Sequence, residues 1–74
     1  MFINERVFMR VTINGQAKEI AGPADLAHLA AQFSANTKYI ITEINGRIVS
    51  CDDRAGTPVK DGDTVELVSF VGGG

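Results

Sequence analysis

The dipeptide Asn-Gly occurs twice, at Asn14-Gly15 and Asn45-Gly46, each time between two strand-like runs. Both residues of the pair tolerate the positive φ of a two-residue type I′ turn, so each predicts a β-hairpin. In the first hairpin Val7, Met9, Val11 and Ile13 fall on one face and Phe8, Arg10 and Thr12 on the other. That period of two marks a strand with one buried side. Gln16 to Ile20 is the return strand, weakened by Lys18 and Glu19. In the second hairpin Lys38 to Ile44 is rich in β-branched and aromatic residues, and Arg47-Ile48-Val49 returns.

Between the hairpins the period changes. Ala21-Gly22-Pro23 breaks the strand, and proline is tolerated in a first helical turn. From Ala24 onward, Leu26, Leu29, Ala30 and Phe33 form one helical stripe. Asp25 falls in the first turn, where the helix dipole favours an anion. Ser34-Ala35-Asn36-Thr37 ends the helix in turn formers. Ser50 to Pro58 is polar and irregular, and Asp61-Gly62-Asp63 is a further turn. Thr64 to Val71 is the last strand, with Val65 and Leu67 facing the core and Glu66, Val68 and Phe70 facing away. A slip of one residue would reverse those faces. The order is β-β-α-β-β-β, with no internal repeat.

The chain has 74 residues, enough for one domain with a thin core. The sheet must bury one face, and a single helix is the only cover. The expected fold class is α+β, a mixed sheet of about five strands packed on one helix. This element order fits a β-grasp roll. Nine acidic against seven basic residues give a net charge of −2, a poor basis for binding nucleic acid or an anionic membrane. One cysteine excludes an intrachain disulfide, and one cysteine with one histidine excludes a closed zinc site of those ligands. No apolar run spans a bilayer and Met1 to Arg6 does not resemble a signal peptide, so a cytoplasmic location is expected. With so few convergent polar groups, a self-contained enzyme is not expected, and a role as carrier or co-substrate fits better.

The chain stops at Gly72-Gly73-Gly74, directly after an apolar strand. Three glycines add nothing to a core and have maximal backbone freedom. They make a thin tail able to thread a narrow channel, with the Gly74 carboxylate as its chemical handle. A carboxylate is a poor electrophile. Activation as an acyl-adenylate would supply a leaving group for attack by sulfur or an amine. The plain alternative is a frayed end or a linker.

The stretch Asp61-Gly62-Asp63-Thr64-Val65-Glu66-Leu67-Val68-Ser69-Phe70-Val71-Gly72-Gly73-Gly74 resembles the C-terminus of the thiamine-biosynthesis sulfur-carrier (ThiS) family. Val11-Thr12-Ile13-Asn14-Gly15, the Leu26/Leu29/Phe33 helix and Ile44-Asn45-Gly46-Arg47-Ile48-Val49 fit in order. The resemblance implies a ubiquitin-like β-grasp domain over residues 1–71 and a glycine tail over residues 72–74. It implies that Gly74 is adenylated, with ATP, by an E1-like adenylyltransferase and then bears sulfur as a thiocarboxylate. Gly72 and Gly73 would enter the partner's channel. A cysteine-desulfurase system would deliver the sulfur, and thiazole synthase would consume it. No cofactor is expected to be bound; the partner consumes the ATP. Carriers for molybdopterin or cysteine synthesis share the diglycine end. A ubiquitin-like interaction module whose terminus is never activated is the alternative of a different class.

Residues 1–8 extend beyond the usual start of that family: either Met9 is the initiator, or Val7 and Phe8 lengthen the first strand. Ser50 to Thr57 is also less typical. Val68, Phe70 and Val71, just before the tail, form the expected partner-binding patch, against the alternative of packing on a neighbouring loop. Cys51 has the acidic neighbours Asp52 and Asp53, which do not activate a thiol, and reads as incidental. His28 lies off the apolar stripe and reads as a solvated side chain. Asp61 and Asp63 read as turn formers; their spacing with Asp52 and Asp53 is not that of a calcium loop.

Overall fold

The alternating segment Val7–Ile13 forms strand β1 and returns as β2, Gln16–Gly22, in a computed structural model that describes residues 7–70. Asn14 and Gly15 have φ of 51° and 82°, the two positive values that the tight turn requires. The pairing runs from Ile13↔Gln16 to Val7↔Gly22. Strand β2 therefore continues two residues past the expected Ile20. Hydrogen bonding to a long partner sets its length, and its mainly polar composition does not shorten it. Val7 and Phe8 do lengthen the first strand, opposite Gly22 and Ala21.

The next element departs from expectation. Ala24–Asp25 is a two-residue strand, β3, and helix α1 spans Leu26–Phe33. Asp25 is thus the N-cap: its Oδ1 accepts the His28 N–H at 2.8 Å, satisfying one of the helix's free donors. Pro23 precedes the helix by three residues and is not in its first turn. The Leu26 N–H donates to the Thr57 carbonyl at 2.9 Å. Leu26, Leu29 and Ala30 are buried, whereas Phe33 is 45% exposed. The helix has only eight residues, and Ser34 caps it through Ala30. Phe33 sits in the last turn and borders an open groove with Ile13, Leu29 and Leu67.

Thr37–Tyr39 forms a 3-10 turn, so β4 is Ile40–Ile44 and starts two residues later than composition indicated. Asn45 and Gly46, with φ of 50° and 84°, turn it into β5, Arg47–Val49. Cys51–Gly56 is a 3-10 helix, not an irregular loop, and Pro58–Val59 is β6. Strand β7, Thr64–Ser69, closes the fold.

The main sheet has the order β2-β1-β7-β4-β5, and β3 pairs with β6 in a small second sheet. Strands β1 and β7 are parallel, with Thr12↔Thr64 and Ile13↔Val65. The other pairs are antiparallel. The helix's buried side and the sheet share one core, including Val11, Leu26, Leu29, Ile40, Val65 and Leu67. Full burial of such side chains stabilises by about 1.5–3 kcal/mol each. Five strands on one helix is the α+β architecture expected; the β3–β6 pair and both 3-10 segments are additional. Among the described residues no helix is long and apolar enough to cross a membrane.

Candidate functional site at the end of the last strand

Strand β7 lies mid-sheet, and its alternation sorts its side chains as predicted. Val65 and Leu67 are buried, at 0% and 3% exposure. Glu66, Val68 and Phe70 lie on the open side, with Val68 and Phe70 half exposed. Neighbouring strands extend this surface. Ile41 of β4 stands opposite Val68, and Glu43 stands opposite Glu66. Ile48 of β5 stands opposite Glu43 and is 74% exposed. The Tyr39 and Phe70 rings meet edge to face with centroids 6.1 Å apart. The open face thus presents the apolar side chains of Tyr39, Ile41, Ile48, Val68 and Phe70 around two opposed carboxylates.

The start of β7 is held from both sides. Thr12 and Asn14 donate their N–H groups to the Asp63 and Val65 carbonyls, each at 2.9 Å. Beyond Val65, where β1 has turned away, the Asn14 side chain takes over. Its Nδ2 donates to the Leu67 carbonyl at 3.0 Å and its Oδ1 accepts the Leu67 N–H at 2.7 Å. One side-chain amide reproduces the pairing of a strand residue. On the other side Asn45 Oδ1 accepts the Thr64 N–H at 3.0 Å, and its Nδ2 donates to Asp63 Oδ1 at 2.9 Å. At the far end, the Phe70 N–H donates to the Tyr39 carbonyl at 3.0 Å. Val71, Gly72, Gly73 and Gly74 lie outside the described residues.

The remaining candidates do not converge on this end. Asp63 accepts the Lys60 N–H at 2.7 Å, which is turn chemistry, whereas Asp61 accepts the N–H of Arg10 in β1 at 2.8 Å, a bond between distant segments. Among the described residues no three histidine, cysteine, aspartate or glutamate side chains could hold a metal ion together. His28 is exposed, with its Nε2 3.3 Å from Gln32 Nε2. Cys51 is exposed, and its sulfur lies 3.7 Å from Arg54 Nη1; Asp53 instead accepts from the Ser50 hydroxyl at 2.9 Å.

Sequence reasoning missed Arg54. It is 4% exposed and satisfied entirely by neutral acceptors. Its Nε donates to Thr42 Oγ1 at 3.1 Å, its Nη1 to the Thr37 carbonyl at 2.8 Å and its Nη2 to the Ile40 carbonyl. Thr42 is itself fully buried, and its hydroxyl donates a hydrogen bond to the Val49 carbonyl at 2.8 Å. The run Cys-Asp-Asp-Arg reads as solvated because it is polar. Only the 3-10 winding of Cys51–Gly56 turns the arginine inward.

A five-stranded mixed sheet on one helix, ending in its central strand, defines a ubiquitin-like β-grasp domain. The crystal structure of a thiamine biosynthesis protein (ThiS) from Geobacter metallireducens superposes with a TM-score of 0.74 at 35% identity, covering 89% of this chain and 100% of that one. A solution structure of a thiamine biosynthesis protein from the same organism gives 0.76 at 33% identity, covering 89% and 88%. The ThiS family model matches residues 11–74. The chain belongs to the ThiS family, the sulfur carriers of thiamine biosynthesis. It is also 30% identical over 66 residues to a thiazole synthase of Paramagnetospirillum magneticum. That match takes in 89% of this chain and spans only about a fifth of the longer relative.

Proposed function

We propose that this protein carries sulfur on its C-terminal Gly74 for assembly of the thiazole of thiamine. The observation that carries the reading is the family match over residues 11–74, which includes the whole glycine tail. A Gly74 carboxylate oxygen attacks the α-phosphorus of ATP in an E1-like adenylyltransferase, and pyrophosphate leaves. Hydrosulfide-level sulfur then attacks the acyl carbon and AMP leaves, giving the thiocarboxylate. When a desulfurase system delivers the sulfur as a persulfide, attack gives an acyl disulfide. A thiol then cleaves it and is oxidised to a disulfide, again leaving the thiocarboxylate. Thiazole synthase takes the sulfur. A carrier-like segment inside a chain named thiazole synthase supports that acceptor.

The domain itself performs no chemistry in this scheme; it presents the tail. Val68 and Phe70, with Tyr39 and Ile41 beside them, form the apolar docking face, and Val71 and the glycines Gly72 and Gly73 extend into the partner. Exposed aromatic and branched side chains around one reactive end suit a transient apolar interface.

Intact-mass spectrometry with the activating enzyme, ATP and a sulfur donor tests the reading. The expected result is a mass gain equal to exchange of one oxygen for sulfur, ATP-dependent and lost when Gly74 is deleted. The deletion leaves the melting curve unchanged. No adenylate and no sulfur gain with a demonstrably active enzyme would overturn it. Sulfur transfer from the labelled carrier to thiazole synthase then tests the acceptor.

A further inference from the structure

We propose that Arg54 is a positioning residue that fixes where the tail leaves the domain. The link is a short chain of contacts. The Arg54 fork holds the Thr37 and Ile40 carbonyls, one on each side of Lys38-Tyr39. Of the two carbonyls between them, that of Tyr39 accepts the Phe70 N–H at 3.0 Å, and the Tyr39 ring meets the Phe70 ring. Phe70 is the last described residue, two positions before the first glycine of the tail. The 3-10 turn Thr37–Tyr39 has no side-chain cap and no buried residue of its own, so packing does not hold it in place. The guanidinium does. Its Nε is anchored in turn by Thr42, at the buried middle of β4.

The chemistry of the group fits this task. A guanidinium is planar and rigid, and its donors reach two carbonyls in a fixed geometry; an ammonium is a point charge on a flexible stem. A buried charge is costly to maintain, and Arg54 is satisfied with no contacting carboxylate among its hydrogen-bond partners. An apolar residue could fill the same volume. What it could not do is hold the Thr37 and Ile40 carbonyls, on either side of Tyr39, at the same time.

The role assigned to the tail rests on the carrier reading, whereas the placing of Phe70 does not. The test therefore has two readouts on the full chain. Amide hydrogen exchange is measured for wild type, Arg54→Lys, Arg54→Met and Thr42→Val. Arg54→Lys is expected to speed exchange at the Phe70 amide about ten-fold relative to the Val65 and Leu67 amides, a local opening. Arg54→Met does so more strongly. If it does not fold, Arg54→Lys carries the test. Thr42→Val removes the Nε anchor but neither carbonyl contact, and it speeds exchange at Phe70 less than Arg54→Lys does.

In the second readout, kcat/KM for adenylation by the activating enzyme falls about ten-fold in Arg54→Lys at a temperature where it is fully folded, because the reacting end is misplaced. Thr42→Val, which removes only the Nε anchor and leaves both carbonyl contacts, loses clearly less. Unchanged relative protection of Phe70 in Arg54→Lys would overturn the proposal, as would equal kinetic losses in Arg54→Lys and Thr42→Val. If wild-type protein takes no adenylate, the carrier reading fails, while selective exchange at Phe70 still upholds the placing role of Arg54.

Discussion

The two Asn-Gly turns share a dipeptide and a backbone conformation, yet their asparagines do different jobs. Asn14 and Asn45 have φ of 51° and 50°, and Gly15 and Gly46 have 82° and 84°. As turns they are interchangeable. As side chains they are not. Asn14 meets both backbone groups of Leu67, at a part-buried place where strand β1 no longer reaches β7. Asn45 meets Thr64 and Asp63 at an exposed corner, where water can replace it. A local signal therefore sets the hairpins, and its surroundings decide what else the same residue does.

The largest expected effect tests that difference directly. Asn14→Ala strands a donor and an acceptor of Leu67 and also loses a residue suited to positive φ, so we expect a loss of about 2–4 kcal/mol in urea unfolding. Asn45→Ala should cost about 1 kcal/mol, since its bonds are solvent-exposed. Equal losses would break the comparison. Gly15→Ala and Gly46→Ala sharpen it from the other side. An added Cβ meets nothing within 4 Å at either glycine, so the cost is conformational alone. Each should lose about 1–2 kcal/mol, and the two should agree closely. The smallest effect lies beside the second turn. Glu43 and Glu66 stand directly opposite each other, and like charges so placed repel. Glu66→Gln should gain a few tenths of a kcal/mol, roughly, with the gain shrinking as salt is raised.

The hairpins and the two faces of β7 were legible because they rest on local chemistry: positive-φ residues at the turns and a strict period of two. The limits of the elements were not. Strand β2 runs to Gly22 because β1 pairs that far, and α1 begins at Leu26 because Ala24 and Asp25 are taken up by β6. Both are decided by partners distant in sequence. Of the candidate site, Val68 and Phe70 fall on the open face as the alternation required, while Tyr39 and Ile41 join them only through the β4–β7 register. Arg54 had no signal at all. A charged residue in a polar run reads as solvent-facing, and only the winding of its segment buries it.

The seat of β7 between β1, to which it is parallel, and β4, to which it is antiparallel, has a consequence for timing. The strand made last in this domain is the middle of its main sheet, and Val65 and Leu67 complete its core. Pairing of the first and last strands closes a loop of nearly the whole domain, so it is an intrinsically late step. Until β7 inserts, β1–β2 and β4–β5 are two separate ribbons, each marginal by itself. Assembly of the sheet and arrival of Phe70 beside Tyr39 are therefore one event. An enzyme that reaches for this end of the chain is checking, by the same contact, that the domain behind it has finished folding.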